Sequence, residues 1–192
     1  MEFDKVIEKR RSVRAFKNKP ASWRAVVEAV DAARTIPLAG NNNTLRFLAI
    51  MEGEKIEKIA EYAEQLWINQ SSIVVIVCSD EAPLEKTYGE RGRIYSRQHA
   101  GAAIMAFLLK LVDLGLSGCW VGAYDDKKIR SLFDIPENIQ IEALIPIGYE
   151  KTPPATKYRR SLKAMIYWQK WDQNEIPKFF KEPSLSKERF LG

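Results

Sequence analysis

The sequence predicts an α+β fold, a three-layer α-β-α sandwich about a mixed central sheet. Three observations predict it. Helical and extended segments do not alternate in a βαβ rhythm; two helices come first and the strands follow at irregular intervals. The segment Ile73-Val74-Val75-Ile76-Val77-Cys78 is short, β-branched and uncharged, the composition of a central strand covered on both faces. The stretch from about Arg97 to Leu114 is a helix apolar nearly all round, so it is buried inside a core or a subunit interface.

The elements follow in order. Phe3, Val6, Ile7 and Arg10 have helical spacing and predict a short helix ending near Lys9. Ser12 to Phe16 reads as extended. Lys19-Pro20 breaks the chain, and Ser22 is placed to cap a second helix, in which Trp23, Val26, Val27, Val30 and Ala33 recur at helical intervals to about Arg34. Pro37-Leu38-Ala39-Gly40-Asn41-Asn42-Asn43 is turn chemistry. Leu45 to Met51 reads as a buried strand, and Gly53 introduces a third helix over Glu54 to Trp67. Asp80 to Ile94 is charged and contains glycine, and reads as an exposed loop or lid. Gly115 closes the apolar helix. Cys119 to Tyr124 reads as extended, Asp125 or Asp126 caps a short helix to Phe133, and Gln140 to Ile147 is a further strand.

Beyond Gly148 the aromatics Trp168, Trp171, Phe179, Phe180 and Phe190 stand among charges and prolines. Aromatics at that density require burial, either on their own domain or around a second subunit. The expected organisation is one domain over residues 1–165 and a C-terminal extension over 166–192.

Composition excludes several function classes. The 192 residues suffice for a domain with a sizeable core, and 46% apolar with 29% charged residues is a globular balance. No membrane span and no secretory signal is visible, and Cys78 and Cys119 read as buried thiols in a reducing compartment; the expectation is a cytoplasmic protein. The net charge of +5 serves solubility or an anionic ligand. A nucleic-acid surface is the weaker reading, because the basic residues are scattered among 25 acidic ones. With one histidine, His99, a multi-histidine metal site is impossible and a Ser-His-Asp triad improbable; His99 reads as a capping or packing residue opening the apolar helix. Neither a Gly-x-Gly-x-x-Gly after a strand nor a P-loop is present. An enzyme of this composition therefore relies on a bound organic cofactor.

Four constellations remain. Arg10-Arg11-Ser12-Val13-Arg14 gathers three guanidinium forks and a hydroxyl, groups that match phosphate oxygens; on composition alone the run reads first as a solvated basic turn. Lys157-Tyr158-Arg159-Arg160-Ser161 is a second basic run. The Asn41–Asn43 amides both donate and accept, as partners of a mixed heterocycle must. Ser117-Gly118-Cys119-Trp120-Val121-Gly122-Ala123 allows a backbone to approach a flat ligand closely.

The order of these pieces, from Arg-Arg-Ser-x-Arg through Ala39-Gly40-Asn41, Leu114-Gly115-Leu116-Ser117-Gly118-Cys119-Trp120-Val121-Gly122 and Ile145-Pro146-Ile147-Gly148-Tyr149 to Lys157-x-Arg159-Arg160, resembles the FMN-dependent nitroreductase family over roughly Val6 to Ser161. The resemblance implies a homodimer with FMN at the subunit interface, reduced by NADH or NADPH and reoxidised by a nitro compound, quinone or related acceptor in ping-pong fashion. Reductive dehalogenation or flavin fragmentation on the same scaffold is the alternative, and a non-enzymatic basic binding protein a further one. The resemblance assigns Arg10, Arg11 and Ser12 to the FMN phosphate and ribityl chain and Arg14 to the pyrimidine end of the flavin. It assigns Asn41 and Asn43 to ring or ribityl polar atoms, Val121 and Gly122 to backbone N–H donation near the reactive ring nitrogen, and Lys157, Arg159 and Arg160 to the phosphate. The sequence departs from the family where Asn43-Thr44-Leu45 replaces Gln-Pro-Trp, where Ala106 replaces an Asn, and where His99 replaces an Asp.

Overall fold

The computed structural model describes residues 1–155 and 159–175. The chain divides into two compact units, Met1–Pro154 and Ala155–Gly192. This boundary falls before the second basic run, whereas the sequence expectation carries the first domain through residue 165.

In the first unit, β2 (Ile73–Asp80) is the strand around which everything packs. It pairs antiparallel with β1 (Leu45–Ile50) on one side and β4 (Ile139–Gly148) on the other, and the two-residue β3 (Ser117–Gly118) pairs with β4, giving the order β1-β2-β4-β3. The named strands are all antiparallel; the mixed character comes from an isolated parallel bridge between Ser12 and Gly118. Period-two alternation sends Ile73, Val75 and Val77 to one face of the sheet and Val74, Ile76 and Cys78 to the other. Helices α2 (Trp23–Ala33) and α5 (Arg91–Asp113) cover the first face through Val26, Ala29, Ala33, Ala103, Ile104 and Phe107. Helices α3 (Gly53–Tyr62) and α6 (Asp126–Leu132) cover the second through Ile56, Ile59, Ala60 and Ile129. The three layers are thus α-β-α. The caps read from sequence are present: Ser22 Oγ accepts from Arg24 N–H at 3.2 Å, and Asp125 Oδ1 accepts from Lys128 N–H at 3.0 Å.

Several elements differ from the expectation, each for a local reason. β1 is an edge strand, not a buried one, with Leu48 and the following Met51 exposed. α3 stops at Tyr62 because Glu64 turns into the left-handed region (φ 53°), and Leu66–Gln70 forms a separate 3-10 turn. The expected loop over Asp80 to Ile94 is helix α4 (Ala82–Tyr88), a turn at Gly89 (φ 60°) and the start of α5. The charges that read as loop are ion-pair partners between these helices: Glu85 with Arg93, and Glu81 with Arg97 at 3.0 Å. Gly92 permits the crossing, since a Cβ there would lie 2.4 Å from the Leu84 carbonyl and the Glu85 nitrogen. α5 therefore begins at Arg91, and His99 lies inside it, not at its start.

A register shift between Val77 and Cys78 passes over Glu142 of β4. The Glu142 carboxylate accepts from Ser79 Oγ at 2.5 Å and pairs with Arg97 at 2.6 Å, tying the bulge to α5. Both cysteines are buried free thiols, and burial pushes the Cys78 thiol up to about 11.

In the second unit the described residues form a 3-10 turn over Leu162–Ala164, and Tyr167 meets Trp171 edge-on at 4.9 Å. Of the tail aromatics, Trp168 and Trp171 are among the described residues; Phe179, Phe180 and Phe190 lie outside them.

Candidate functional site

Helix α1 (Phe3–Lys9) ends where its last carbonyls need donors. Arg10 N–H supplies one, to Val6 O at 2.9 Å, and the Arg11 guanidinium folds back onto Glu8 O and onto Arg10 O at 3.0 Å. The chain then runs extended. Val13 and Phe16 point into the core at 1% and 3% exposure, which turns Ser12 and Arg14 outward. Among the described residues no carboxylate pairs with Arg10, Arg11 or Arg14. Among the described residues their charge is therefore uncompensated.

The bridge between Ser12 and Gly118, with Val13 N–H donating to Gly118 O at 3.3 Å, lays this cationic run beside the glycine strand. Gly118 leaves little room for a side chain: a Cβ would lie 3.0 Å from Leu108 Cδ2 and 3.3 Å from Leu111 Cδ1 and the Pro146 carbonyl. Four residues on, Gly122 has the opposite surroundings. It is exposed, and nothing lies within 4 Å of where its Cβ would be. Val121 does not act as expected: its N–H donates to Leu144 O at 2.9 Å, and its carbonyl accepts from Leu144 N–H at 3.0 Å. Its backbone is spent on the sheet, so of the expected pair of N–H donors Gly122 is the one that faces open space.

Arg14 has a neighbour that sequence reasoning missed. Its guanidinium carbon lies 6.0 Å from the centre of the Trp67 ring, and Trp67 in turn packs on Phe16 at 6.5 Å. Gln70, in the same 3-10 turn, accepts from Phe16 N–H at 3.3 Å. Both residues lay at or beyond the end of an expected helix, and no local signal marked them.

The amide turn is a 3-10 turn over Ala39–Asn41, with Asn41 exposed. Asn43 uses its side-chain oxygen locally, accepting from Leu45 N–H at 3.1 Å, which leaves its NH2 group for a ligand. His99 also takes part unexpectedly: its Nε2 accepts from Ala39 N–H at 2.8 Å. On the same helix Gly101 faces Trp120, whose Cη2 would lie 4.0 Å from a Cβ at that position. Helix α5 thus carries the amide turn on one flank and the glycine strand on another.

Arg159 and Arg160 are exposed within the second unit, and Lys157 lies outside the described residues. Among the described residues no cluster of three or more His, Cys, Asp or Glu side chains has the makings of a metal site, and no helix is long and apolar enough to cross a membrane.

Comparison with known proteins bears on this arrangement. The model of the Nitroreductase family matches residues 7–72 and 65–149. A putative NADH dehydrogenase/NAD(P)H nitroreductase of Methanothermobacter thermautotrophicus is 30% identical over 162 residues, 82% of each chain. An iodotyrosine deiodinase of Thermotoga neapolitana is 26% identical over 171 residues, 80% of this chain and 91% of that one. The structure of an NADPH:FMN oxidoreductase from Vibrio harveyi complexed with NAD+ shares the fold, with a TM-score of 0.79 at 16% identity over 89% of this chain and 78% of that one.

Proposed function

The chain belongs to the Nitroreductase family, and from that premise we propose that it is an FMN-dependent oxidoreductase that passes a hydride from NADH or NADPH to a nitro compound, quinone or related acceptor. The observation that carries the reading is the Ser12–Gly118 bridge, which joins a cationic run with no carboxylate partner among the described residues to the segment that leads on to the open Gly122. A phosphorylated planar heterocycle needs that combination: charge for its phosphate and bare backbone for its ring.

FMN, when bound, supplies the two-electron chemistry, accepting a hydride from the nicotinamide and handing it to the acceptor. The chain's own residues bind and orient. Arg10, the free donors of Arg11, and Ser12 would hold the phosphate and ribityl chain. Arg14 holds a fixed positive charge at the pyrimidine end, where negative charge develops on reduction. Asn41 and the Asn43 NH2 group meet polar edges of the ring, and Gly122 lends its N–H near the reactive nitrogen. Donor and acceptor using the same open site in turn would give ping-pong kinetics.

The site is shared between two copies. His99 and Gly101, two residues apart, point about 200° from each other around α5. A flavin that meets both the amide turn and the glycine strand therefore takes one of them from a second subunit. The face that would pair is apolar and uncovered: Ile94 and Met105 on α5, and Phe3 and Ile7 on α1, are all exposed.

The purified protein is expected to be yellow, or to become so with added FMN, and to bleach anaerobically with NADH or NADPH. Protein that stays colourless with FMN present overturns the proposal. The similarity to an iodotyrosine deiodinase favours one second reading, reductive dehalogenation on the same scaffold. Bound flavin that refuses both nicotinamides would decide for it.

A further inference from the structure

The turn that carries Asn41 is held from behind by side chains the flavin reading does not use. Gly40 (φ 58°) and Asn41 (φ 54°) both occupy the left-handed region, which these two residue types tolerate best. Ala39, just before them, donates its N–H to His99 Nε2 at 2.8 Å. Gly40 abuts Tyr88 of α4, whose hydroxyl oxygen would lie 2.7 Å from a Cβ at that position. Tyr88 meets Tyr95 edge-on at 5.2 Å, and Tyr95 lies one turn before His99 on α5.

His99 is 5% exposed. Because Nε2 accepts, the neutral ring carries its proton on Nδ1, and that buried atom has no partner among the described residues. An apolar side chain of the same volume would avoid the cost of that buried donor. The ring's acceptor is what such a replacement would lose.

We infer that His99 is a positioning residue: its neutral imidazole fixes the Ala39 N–H and so aims Asn41 at the flavin. The inference rests on the flavin reading of the site. Protonation of Nε2 sets a donor against a donor and releases the turn. Burial lowers the His99 pKa from its ordinary 6.5, with no charged side chain contributing; the titratable groups beside the turn are the phenols of Tyr88 and Tyr95.

The test compares wild type, His99→Gln and His99→Leu. Glutamine offers an acceptor that does not titrate in this range, and leucine offers none. The FMN dissociation constant is measured from pH 8 to pH 5, and hydrogen exchange of the Ala39 amide is followed in the flavin-free proteins. The FMN phosphate titrates near pH 6 itself, so the readout is the ratio of wild type to His99→Gln at each pH. That ratio is expected to be about 1 at pH 8 and to rise only below the ordinary 6.5, toward about fivefold where the ring is protonated, the factor a single hydrogen bond is worth. His99→Leu binds about fivefold more weakly at pH 8, and only there is the Ala39 amide unprotected. Equal FMN affinity of wild type and His99→Leu at pH 8, or an Ala39 amide equally protected in all three, overturns the assignment. Protein that binds no FMN while Ala39 loses protection in His99→Leu overturns the flavin reading and leaves the hold of His99 on the turn standing.

Discussion

The Arg11 guanidinium donates to the carbonyl oxygens of Glu8 and Arg10, so it is fixed before any ligand arrives. A side chain already ordered loses little entropy on binding, and its remaining N–H groups are presented in a set direction. Arg11→Ala is expected to weaken FMN binding by about 1.5–3 kcal/mol, the scale of a lost charge-assisted hydrogen bond, as read by fluorescence titration. Unchanged affinity would place the phosphate elsewhere. His99 titrates in the opposite sense to a stabilising cation. Its folded pKa lies below the unfolded one, so the unfolded chain binds the extra proton and stability is lost as pH falls below about 6.5. At the same scale lies the limit of what the sequence reveals about the site. Arg10 to Arg14, Asn41, Asn43 and Gly122 are residue types whose chemistry is legible where they stand. The partners Trp67, Gln70, Tyr88 and His99 are not, because each acts through one contact with a segment far away in the chain, and residue type says nothing of distance. Val121 shows the same limit: its identity is visible, but the commitment of its N–H to Leu144 is a fact of pairing.

Among the elements, α2, α5, β2 and β4 were legible because period and burial agree in them: α2 has a stripe, and β2 is covered on both faces. Helix α4 was not, because its charges belong to a partnership with α5 that no window of α4 alone contains. The end of α3 was hidden for a similar reason, since a left-handed Glu64 has no compositional mark. The α4–α5 crossing rests on one position. Gly92→Ala places a methyl 2.4 Å from the backbone of Leu84 and Glu85, and the helices must separate. The expected cost is about 3 kcal/mol, the upper range for overpacking, seen as a lowered midpoint of thermal unfolding. An unchanged midpoint would mean that α4 is not packed on α5 as described. Because Tyr88 sits at the end of α4 against Gly40, the same substitution should also weaken FMN binding.

At the scale of the whole molecule, the exposed apolar face of α1 and α5 is the feature a single copy leaves unexplained. Met105 is 46% exposed in one chain, so Met105→Glu costs the isolated fold little while placing a charge in the proposed interface. Sedimentation should show wild type as a dimer and the variant as a monomer at micromolar concentration, with unchanged helical content. A monomeric wild type would remove the shared site. The bridge between Ser12 and Gly118 has a consequence of another kind, in the order of events during synthesis. The arginine run leaves the ribosome well before its docking strand, which appears only when Gly118 has emerged, and β2 lacks its β4 neighbour until residue 148 has followed. Until those partners emerge the nascent chain carries a bare basic segment and a half-paired apolar strand, and cofactor loading waits for both pairings.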